Sequence, residues 1–329
     1  MGKLKITLAC GDYPRLRPII DGSIQAEGIE LNYLTLAPLE IFWRMLKHED
    51  FDASELSLSD YIIDQCGENR RFIAIPFFPA RVFRHSALFV NKNAGVSTPQ
   101  DLKGKKLGVP EYHLTAALWV RGFLQHDYGV SPEDVQWYAG GLEETGRKDR
   151  IDVEIPKRIR LHEIGQDQTL NGCLEEGSID ALLSPHRPPC FIKNKGNVGL
   201  LFPNFKEVEK EYFQRTGILP IMHTVVVKRE LYEKNPWVTE SLYKALAKAS
   251  ALVEATFFRS QLRYALPWFQ QDWEEAQRLF GQEIFPSGVE PNRKTLEAAV
   301  LYSYEQGMAD RELKVAELFA PNTVEQCKD

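Results

Sequence analysis

Positively charged and titratable side chains recur in a few short segments of this sequence. The set comprises Arg15, Arg17, Arg81, Arg84 and Arg187, together with His85, His113, His186 and His223. A guanidinium group binds a carboxylate through two parallel hydrogen bonds, a geometry that lysine lacks. Imidazole gains and loses a proton near neutral pH. In a chain whose net charge is -6, these residue types predict a site that binds a small anion and transfers a proton.

Hydroxyl and carboxyl side chains lie in the same segments. Ser57, Ser59 and Thr115 stand where helices are predicted to begin, and the free backbone amides at a helix N-terminus favour anions. Glu55 and Glu111 complete the set. We expect these two carboxylates either to hold the arginines or to accept hydrogen bonds from ligand hydroxyl groups.

Each candidate also has a purely structural interpretation. Arg15 and Arg17 could be solvated or paired with Asp12 or Asp21, whereas Arg81 and Arg84 could form salt bridges between lobes. The serines and the threonine could serve only as helix caps, a role that is compatible with anion binding. His113 could simply stack beside Tyr112.

Several classes of function are disfavoured by composition and spacing. No run of Lys and Arg marks a nucleic-acid groove. No histidine pair has HExxH or HxH spacing and no CxxC occurs, so the spacing predicts no bound metal. The five cysteines suggest reduced thiols rather than a disulfide framework. The apolar run at residues 6–9 is shorter than the roughly 7–15 residues of a secretion signal, so we expect a cytoplasmic protein that is not bound to a membrane.

Short strand-like runs alternate with longer helix-like segments, which is typical of an α/β fold. Strands are predicted at residues 3–9, 29–35 and 51–56, and helices at residues 18–27 and 38–47 and from about Ser59 onward. The 329 residues suit about two lobes at roughly 150 residues each.

Residues 86–91 and 224–228 are predicted to be two hinge strands that flank an inserted lobe. The expected division is residues 1–90 plus 224–329 for lobe 1 and residues 91–223 for lobe 2, with a ligand cleft between them. Each lobe is expected to hold a mixed sheet flanked by helices. Residues 149–163 are rich in charge and are predicted to form an exposed excursion, with a subunit contact in a homo-oligomer as a candidate role.

Ligands of open α/β sheets bind beyond the carboxyl ends of the strands. That rule selects residues 11–18, 55–59, 110–115 and 184–189, and the two predicted hinges add residues 81–86 and 222–224. Together these six segments contain every candidate above. We expect all six to face one cleft.

The same segments carry a family resemblance. GDYPR at 11–15, DG at 21–22, ELSLS at 55–59, RVFRHS at 81–86 and GVPEYHLT at 108–115 resemble the 4,5-dihydroxyphthalate decarboxylases, over nearly the whole chain. DLKGKKLGV at 101–109 is similar to many binding proteins of the type II periplasmic fold. The resemblance implies that two-lobed fold and a decarboxylation of 4,5-dihydroxyphthalate, or a related hydroxylated aromatic acid, to protocatechuate without an organic cofactor.

That reaction needs an acid near the carboxylated carbon, a base near the phenol and a clamp on the spared carboxylate. His113 or His85 is predicted to donate the proton, and Glu55 or His223 to accept one from the catechol. The remaining candidates are predicted to bind substrate: Arg15, Arg17, Ser57, Ser59, Arg81, Arg84, Thr115 and Arg187.

Two other functions fit the same fold. A solute-binding protein of an ABC-type transport system needs only the anion cleft, but it would be exported. The pyrimidine synthase of thiamine formation shares the fold, but its cysteine-rich iron motif has no counterpart in this sequence.

Overall fold

The structure is a computed structural model that describes residues 2–147, 151, 153–193, 196–257 and 266–324. It divides into two compact units. The first comprises Met1–Arg81, His223–Leu296 and Lys314–Asp329, and the second comprises Val82–Met222 and Glu297–Leu313. The sequence-based division placed residues 82–90 and 297–313 in lobe 1, whereas the structure groups both segments with the second unit.

The first unit contains a five-stranded mixed sheet. Its strands are β1 (Leu4–Cys10), β2 (Ile29–Thr35), β3 (Ala53–Ser57), β4 (Phe72–Ile75) and β11 (His223–Lys228), in the order β2-β1-β3-β11-β4. Strand β11 runs antiparallel to both of its neighbours, whereas β1 is parallel to β2 and β3. The apolar residues of these strands form a core with Leu242 and Leu246 of a long helix.

The second unit contains a six-stranded mixed sheet. Its strands are β5 (Leu88–Asn91), β6 (Lys106–Val109), β7 (Gln136–Ala139), β8 (Arg160–Glu163), β9 (Ala181–Leu183) and β10 (Val198–Leu200), in the order β10-β5-β9-β6-β7-β8. Strand β5 is antiparallel to β9 and β10. The two predicted hinge strands are therefore the antiparallel members of the two sheets.

Helices flank both sheets. In chain order they are α1 (Arg17–Ile20), α2 (Pro38–His48), α3 (Leu58–Cys66), α4 (Thr115–Tyr128), α5 (Leu170–Glu176), α6 (Pro189–Ile192), α7 (Phe205–Thr216), α8 (Arg229–Lys234), α9 (Trp237–Phe257), α10 (Phe269–Phe280), α11 (Arg293–Glu305) and α12 (Pro321–Val324). The predicted α/β class with mixed, helix-flanked sheets is confirmed. Within the described ranges, no helix is both long and apolar enough to cross a membrane.

Two predicted segments differ from the structure. The helix expected at residues 18–27 is a single turn, because Gly22 adopts a left-handed φ of 76° and the Asp21 carboxylate accepts a hydrogen bond from the Ser23 amide. The charged segment 149–163 contains strand β8, whose Arg160, His162 and Glu163 are exposed at the edge of the second sheet. Residues 149, 150 and 152 of that segment lie outside the described residues.

Candidate active site

A buried carboxylate surrounded by hydrogen-bond donors lies in the first unit. Glu55 is 0% exposed on strand β3. Its Oε1 atom lies 2.5 Å from the Tyr13 hydroxyl and 2.5 Å from His223 Nδ1. Its Oε2 atom accepts from the Gly11 amide at 2.9 Å and from the Cys10 thiol at 3.4 Å. These five residues, Cys10, Gly11, Tyr13, Glu55 and His223, are called the Glu55 cluster.

Strand register brings the cluster together. His223 is directly opposite Ser57 in the antiparallel β3–β11 pair, so the side chain of Glu55, two residues earlier on β3, shares its face with His223. Strand β1 runs parallel to β3 on the other side and ends at Cys10, which brings the segment after it to Glu55. The residues of the Glu55 cluster thus come from three neighbouring strands of one sheet and from the segment directly after β1.

The surroundings keep Glu55 ionised. Burial by itself raises the pKa of this carboxyl group, but the charge of His223 and hydrogen bonds from His223, Tyr13 and Gly11 outweigh it and lower the pKa below the ordinary value. Burial, reinforced by the charge of Glu55, raises the pKa of both the Tyr13 hydroxyl and the Cys10 thiol. Tyr13 and Cys10 therefore remain protonated and act as donors.

This arrangement orients an imidazole base. An ionised carboxylate only accepts hydrogen bonds, so His223 donates from Nδ1 and its Nε2 atom carries the lone pair. The His223 side chain is 19% exposed, whereas Glu55 is fully covered. A solute can therefore reach the imidazole and not the carboxylate.

A second acidic and basic group lies in the second unit. Glu111 and His113 are buried, with His113 Nε2 3.5 Å from Glu111 Oε2. Arg147 donates to Glu111 Oε1 at 2.8 Å. Glu111 thus lies beside both a histidine and an arginine.

His85 has a different environment in the second unit. Its ring stacks on Phe123 at 4.1 Å between centroids and meets the edges of Phe202 and Tyr212. Within the described part of the chain, neither ring nitrogen has a hydrogen-bond partner, and Nδ1 lies 3.9 Å from Glu209 Oε1. Burial lowers the pKa of His85 to about 4, so the imidazole is neutral at pH 7.

The predicted arginines fall into two groups. Arg15 is buried and donates to Ser250 and to the carbonyl oxygens of Phe78 and Pro79. Arg81 donates to the Pro286 carbonyl and to Asn292. These two guanidinium groups brace the first unit, and both sets of contacts lie within it.

The other predicted arginines make fewer contacts with protein oxygen atoms. Arg17 forms an exposed salt bridge with Asp12 at 2.8 Å, which was the structural alternative for this residue. Arg84 in the second unit contacts the Met222 sulfur through Nε, and burial lowers its pKa to about 10. Arg187 is exposed, with its guanidinium 5.9 Å from the centre of the Phe191 ring.

The predicted hydroxyl residues lie at helix starts. Ser57 is the N-cap residue of α3, but its hydroxyl makes no cap hydrogen bond and instead lies 3.2 Å from the Ser59 hydroxyl. Thr115 is the first residue of α4. The site assignments of these residues and of the arginines stay predictions.

Sequence reasoning missed three members of the Glu55 cluster: Cys10, Gly11 and Tyr13. Cys10 is the last residue of β1, and Gly11 and Tyr13 lie in the segment directly after it, which the strand-end rule had selected. The usable signal was the tyrosine of GDYPR, a strong donor beside a predicted active-site carboxylate. In the described residues, no group of three or more His, Cys, Asp or Glu side chains is arranged to hold a metal ion.

Comparisons with known proteins agree with this fold. A family model described as NMT1/THI5 like matches residues 80–158. A 4,5-dihydroxyphthalate decarboxylase of Comamonas testosteroni is 37% identical over 330 residues, which cover 100% of both chains. A 4,5-dihydroxyphthalate decarboxylase of Pseudomonas putida is 38% identical over 214 residues, 65% of this chain and 83% of that one.

Among solved structures, the periplasmic aliphatic sulphonate-binding protein SsuA of Escherichia coli aligns with 98% of this chain and 99% of its own, with a TM-score of 0.54 and 13% identity. At that identity the likeness concerns the fold alone. The predicted periplasmic-binding-protein fold is confirmed.

Proposed function

Because the chain belongs to the 4,5-dihydroxyphthalate decarboxylase family, we propose that it removes one carboxyl group of 4,5-dihydroxyphthalate, giving protocatechuate and carbon dioxide. It is a carboxy-lyase. The observation that carries the mechanism is the pairing of His223 with the buried, ionised Glu55.

The chemistry of the substrate sets what the protein must supply. Direct loss of carbon dioxide from an aromatic ring would leave an aryl anion. Each carboxyl group of 4,5-dihydroxyphthalate has a hydroxyl group para to it, and deprotonation of that hydroxyl directs electron density to the carboxylated carbon. That carbon then accepts a proton, and loss of carbon dioxide restores the aromatic ring. The reaction requires one base and one acid.

His223 suits the role of the base. The sequence left Glu55 and His223 as alternative acceptors, and the geometry favours His223, because all donors around Glu55 already point at its two oxygens. We propose that His223 Nε2 accepts the phenolic proton and that Glu55 fixes the tautomer and stabilises the resulting imidazolium.

His113 suits the role of the acid better than His85. A carboxylate oxygen of Glu111 lies 3.5 Å from His113 Nε2, whereas the His85 ring packs among aromatic side chains and burial lowers its pKa to about 4. We therefore propose His113 as the proton donor.

The spared carboxylate is proposed to be held by arginine. Arg15 and Arg81 already donate to oxygens of their own unit, which favours Arg187 over both. An arginine bound to the leaving carboxylate would oppose the reaction, because it would stabilise a charge that must disappear. Ser57, Ser59, Thr115, Arg17 and Arg84 remain proposed supporting donors.

A cytoplasmic location is part of the proposal. In the described part of the chain, Cys10, Cys66, Cys173 and Cys190 are not joined by disulfides, as is usual in a reducing compartment. We also propose that the protein forms a homo-oligomer through the exposed edge strand β8. Sedimentation of the purified protein as a monomer at all concentrations would contradict that assembly.

Incubation of the purified protein with 4,5-dihydroxyphthalate tests the activity. We expect protocatechuate to accumulate, measured by liquid chromatography, with saturation in substrate. Calorimetry run in parallel measures binding separately from turnover. Saturable binding without product would overturn the decarboxylase proposal and favour a binding protein, which at present has support only from the fold.

A further inference from the structure

We infer that Tyr13 is a positioning residue of the reaction, which holds the Glu55–His223 pair in the ionisation state and tautomer that let His223 accept a proton. The inference rests on the proposed decarboxylation, because it assigns a role within the same site. The Tyr13 hydroxyl donates to Glu55, so its effect on His223 passes through that carboxylate.

The hydrogen bonds of Glu55 are complete. A carboxylate offers about four acceptor positions, and the cluster fills them with two donors on each oxygen. A proton on Glu55 would have to displace one of these donors. The filled set therefore opposes protonation of Glu55 and opposes reversal of the His223 tautomer.

Among the four donors, Tyr13 is the strong one that a side-chain change can remove. The Gly11 donor is a backbone amide, and a thiol such as Cys10 is a weak donor. The Tyr13 hydroxyl shares Oε1 with His223 and lies 3.5 Å from His223 Nδ1. Glu55 Oε1 therefore lies between the Tyr13 hydroxyl and His223 Nδ1.

The backbone beside Tyr13 is fitted to the ring. A Cβ atom on Gly11 would lie 2.8 Å from Tyr13 Cε2 and 3.3 Å from Glu55 Oε2. Glycine at this position lets the ring and the carboxylate approach the chain together. The close approach explains why the tyrosine can reach Glu55 from a loop.

The electrostatic consequence has a definite sign. The titratable or charged groups that face Glu55 are Cys10 and Tyr13 after β1, Tyr33 on β2, His223 on β11 and, through Tyr13, Arg15. Without the Tyr13 hydroxyl, the negative charge of Glu55 is less well stabilised. The pair then binds a proton more tightly, so His223 loses its role as a base at higher pH than in the natural protein.

The test compares Tyr13→Phe with Tyr61→Phe. Both tyrosines are hydrogen-bonded in the first unit, but the Tyr61 hydroxyl donates to the Leu318 carbonyl and not to Glu55. We expect the acid limb of the kcat profile to move up by about one pH unit in Tyr13→Phe, with a roughly tenfold lower kcat below that limb. In Tyr61→Phe we expect lower thermal stability and an unmoved limb. An unmoved limb in folded Tyr13→Phe would overturn the inference.

A second measurement does not depend on turnover. The ¹⁵N chemical shifts of His223 report its tautomer and its proton uptake in the substrate-free protein. We expect the Nδ1–H tautomer in the natural protein, and in Tyr13→Phe a mixed tautomer that takes up its proton at higher pH. If the natural protein makes no protocatechuate but these shifts change as expected, the proposed function fails and the Tyr13–Glu55–His223 linkage stands. Unchanged His223 shifts in Tyr13→Phe would contradict the Tyr13–Glu55–His223 linkage and overturn the inference.

Discussion

At the scale of single residues, the environment of Glu55 determines what its neighbour can do. The carboxylate is covered, ionised and bonded to four donors, so it acts on the substrate only through His223. A carboxylate in this position holds the imidazole in one orientation and stabilises its charged form.

Glu55→Gln tests this dependence. The glutamine side chain has the shape of the Glu55 side chain but no charge. Its NH2 group is a donor, so it cannot accept the hydrogen bonds that the Glu55 cluster directs at that position. We expect kcat to fall by roughly 10²- to 10⁴-fold with little change in KM, since the loss concerns the transition state. Steady-state formation of protocatechuate measures it. Asp64→Asn is the control, because Asp64 is also a covered carboxylate of the first unit but pairs with Arg71 at 3.1 Å. Equal losses in both variants would contradict the assigned role.

The two candidate proton donors are separated by a pair of substitutions. We expect His113→Asn to lower kcat by roughly 10²-fold or more, the usual contribution of general acid catalysis. His85→Asn should stay within a few-fold at pH 7, because the pKa of His85 is lowered to about 4 by burial and the ring is already neutral. Single-turnover rates with saturating substrate measure the chemical step. The reverse order of effects would assign the donor role to His85.

The residue types of the site could be predicted, but their pairing could not. Glu55 was selected near the carboxyl end of a predicted strand and His223 directly before a predicted hinge strand, yet 168 positions separate them in sequence, and only the β3–β11 register puts their side chains on one face. Tyr13 was missed because a tyrosine in a loop has no spacing signal. Arg15 illustrates the opposite case, since burial in the core of its own unit was invisible in its sequence context.

At the scale of elements, the short turn His85–Ala87 and helix α7 each carry one buried group, and burial shifts the pKa values of these two groups in opposite directions. Burial lowers the pKa of His85 to about 4, from an ordinary value of 6.5, and raises the pKa of Glu209 to about 7, from 4.5. Between about pH 4 and 6.5, His85 binds more protons in the unfolded chain than in the folded protein. It therefore lowers the free energy of unfolding as the pH falls through this range. Between about pH 4.5 and 7 the folded chain binds more protons at Glu209, so stability is gained as the pH falls.

Removing one group should expose the effect of the other. In Glu209→Gln we expect the free energy of unfolding to fall, relative to the natural protein, as the pH is lowered from about 7 to 4.5, because the stabilising proton uptake of Glu209 is absent. In His85→Phe, which keeps a ring stacked on Phe123, we expect it to fall relative to the natural protein as the pH is raised from about 4 to 6.5, because the natural protein regains over that range the stability that His85 costs it at low pH. Urea unfolding at each pH measures both. Parallel curves for all three proteins would show that neither group is perturbed.

Element boundaries were predictable where the pattern was strong. Strand β2 matches its predicted range, and α2 begins at Pro38 as predicted and ends one residue beyond its predicted range of 38–47. The helix predicted at residues 18–27 shortened to one turn because Gly22 takes a left-handed conformation, which composition alone does not specify. Strand β8 was unassigned because its alternating Arg160, Leu161 and His162 lie within a highly charged segment.

At the scale of the whole molecule, the two units follow from the two sheets. The inserted position of the second sheet could be predicted from the two β-rich runs that flank it. The assignment of Glu297–Leu313 to the second unit could not, because residues 293–305 form one continuous helix whose sequence contains no boundary signal. A packing preference of that kind depends on the partner surface, which the helix itself does not encode.

The activity of the whole protein depends on the para relation between the hydroxyl and carboxyl groups of the substrate, and a simpler compound tests it. In 4-hydroxyphthalate only the carboxyl group at C1 has a para hydroxyl. If His223 deprotonates that hydroxyl before the ring is protonated, carbon dioxide must leave from C1, and the remaining carboxyl group is meta to the hydroxyl. We therefore expect 3-hydroxybenzoate and no 4-hydroxybenzoate, with phthalate itself unreactive. Liquid chromatography with mass detection separates the isomers. Formation of 4-hydroxybenzoate would mean that the hydroxyl group does not drive ring protonation, and the role assigned to the Glu55–His223 pair would have to be abandoned.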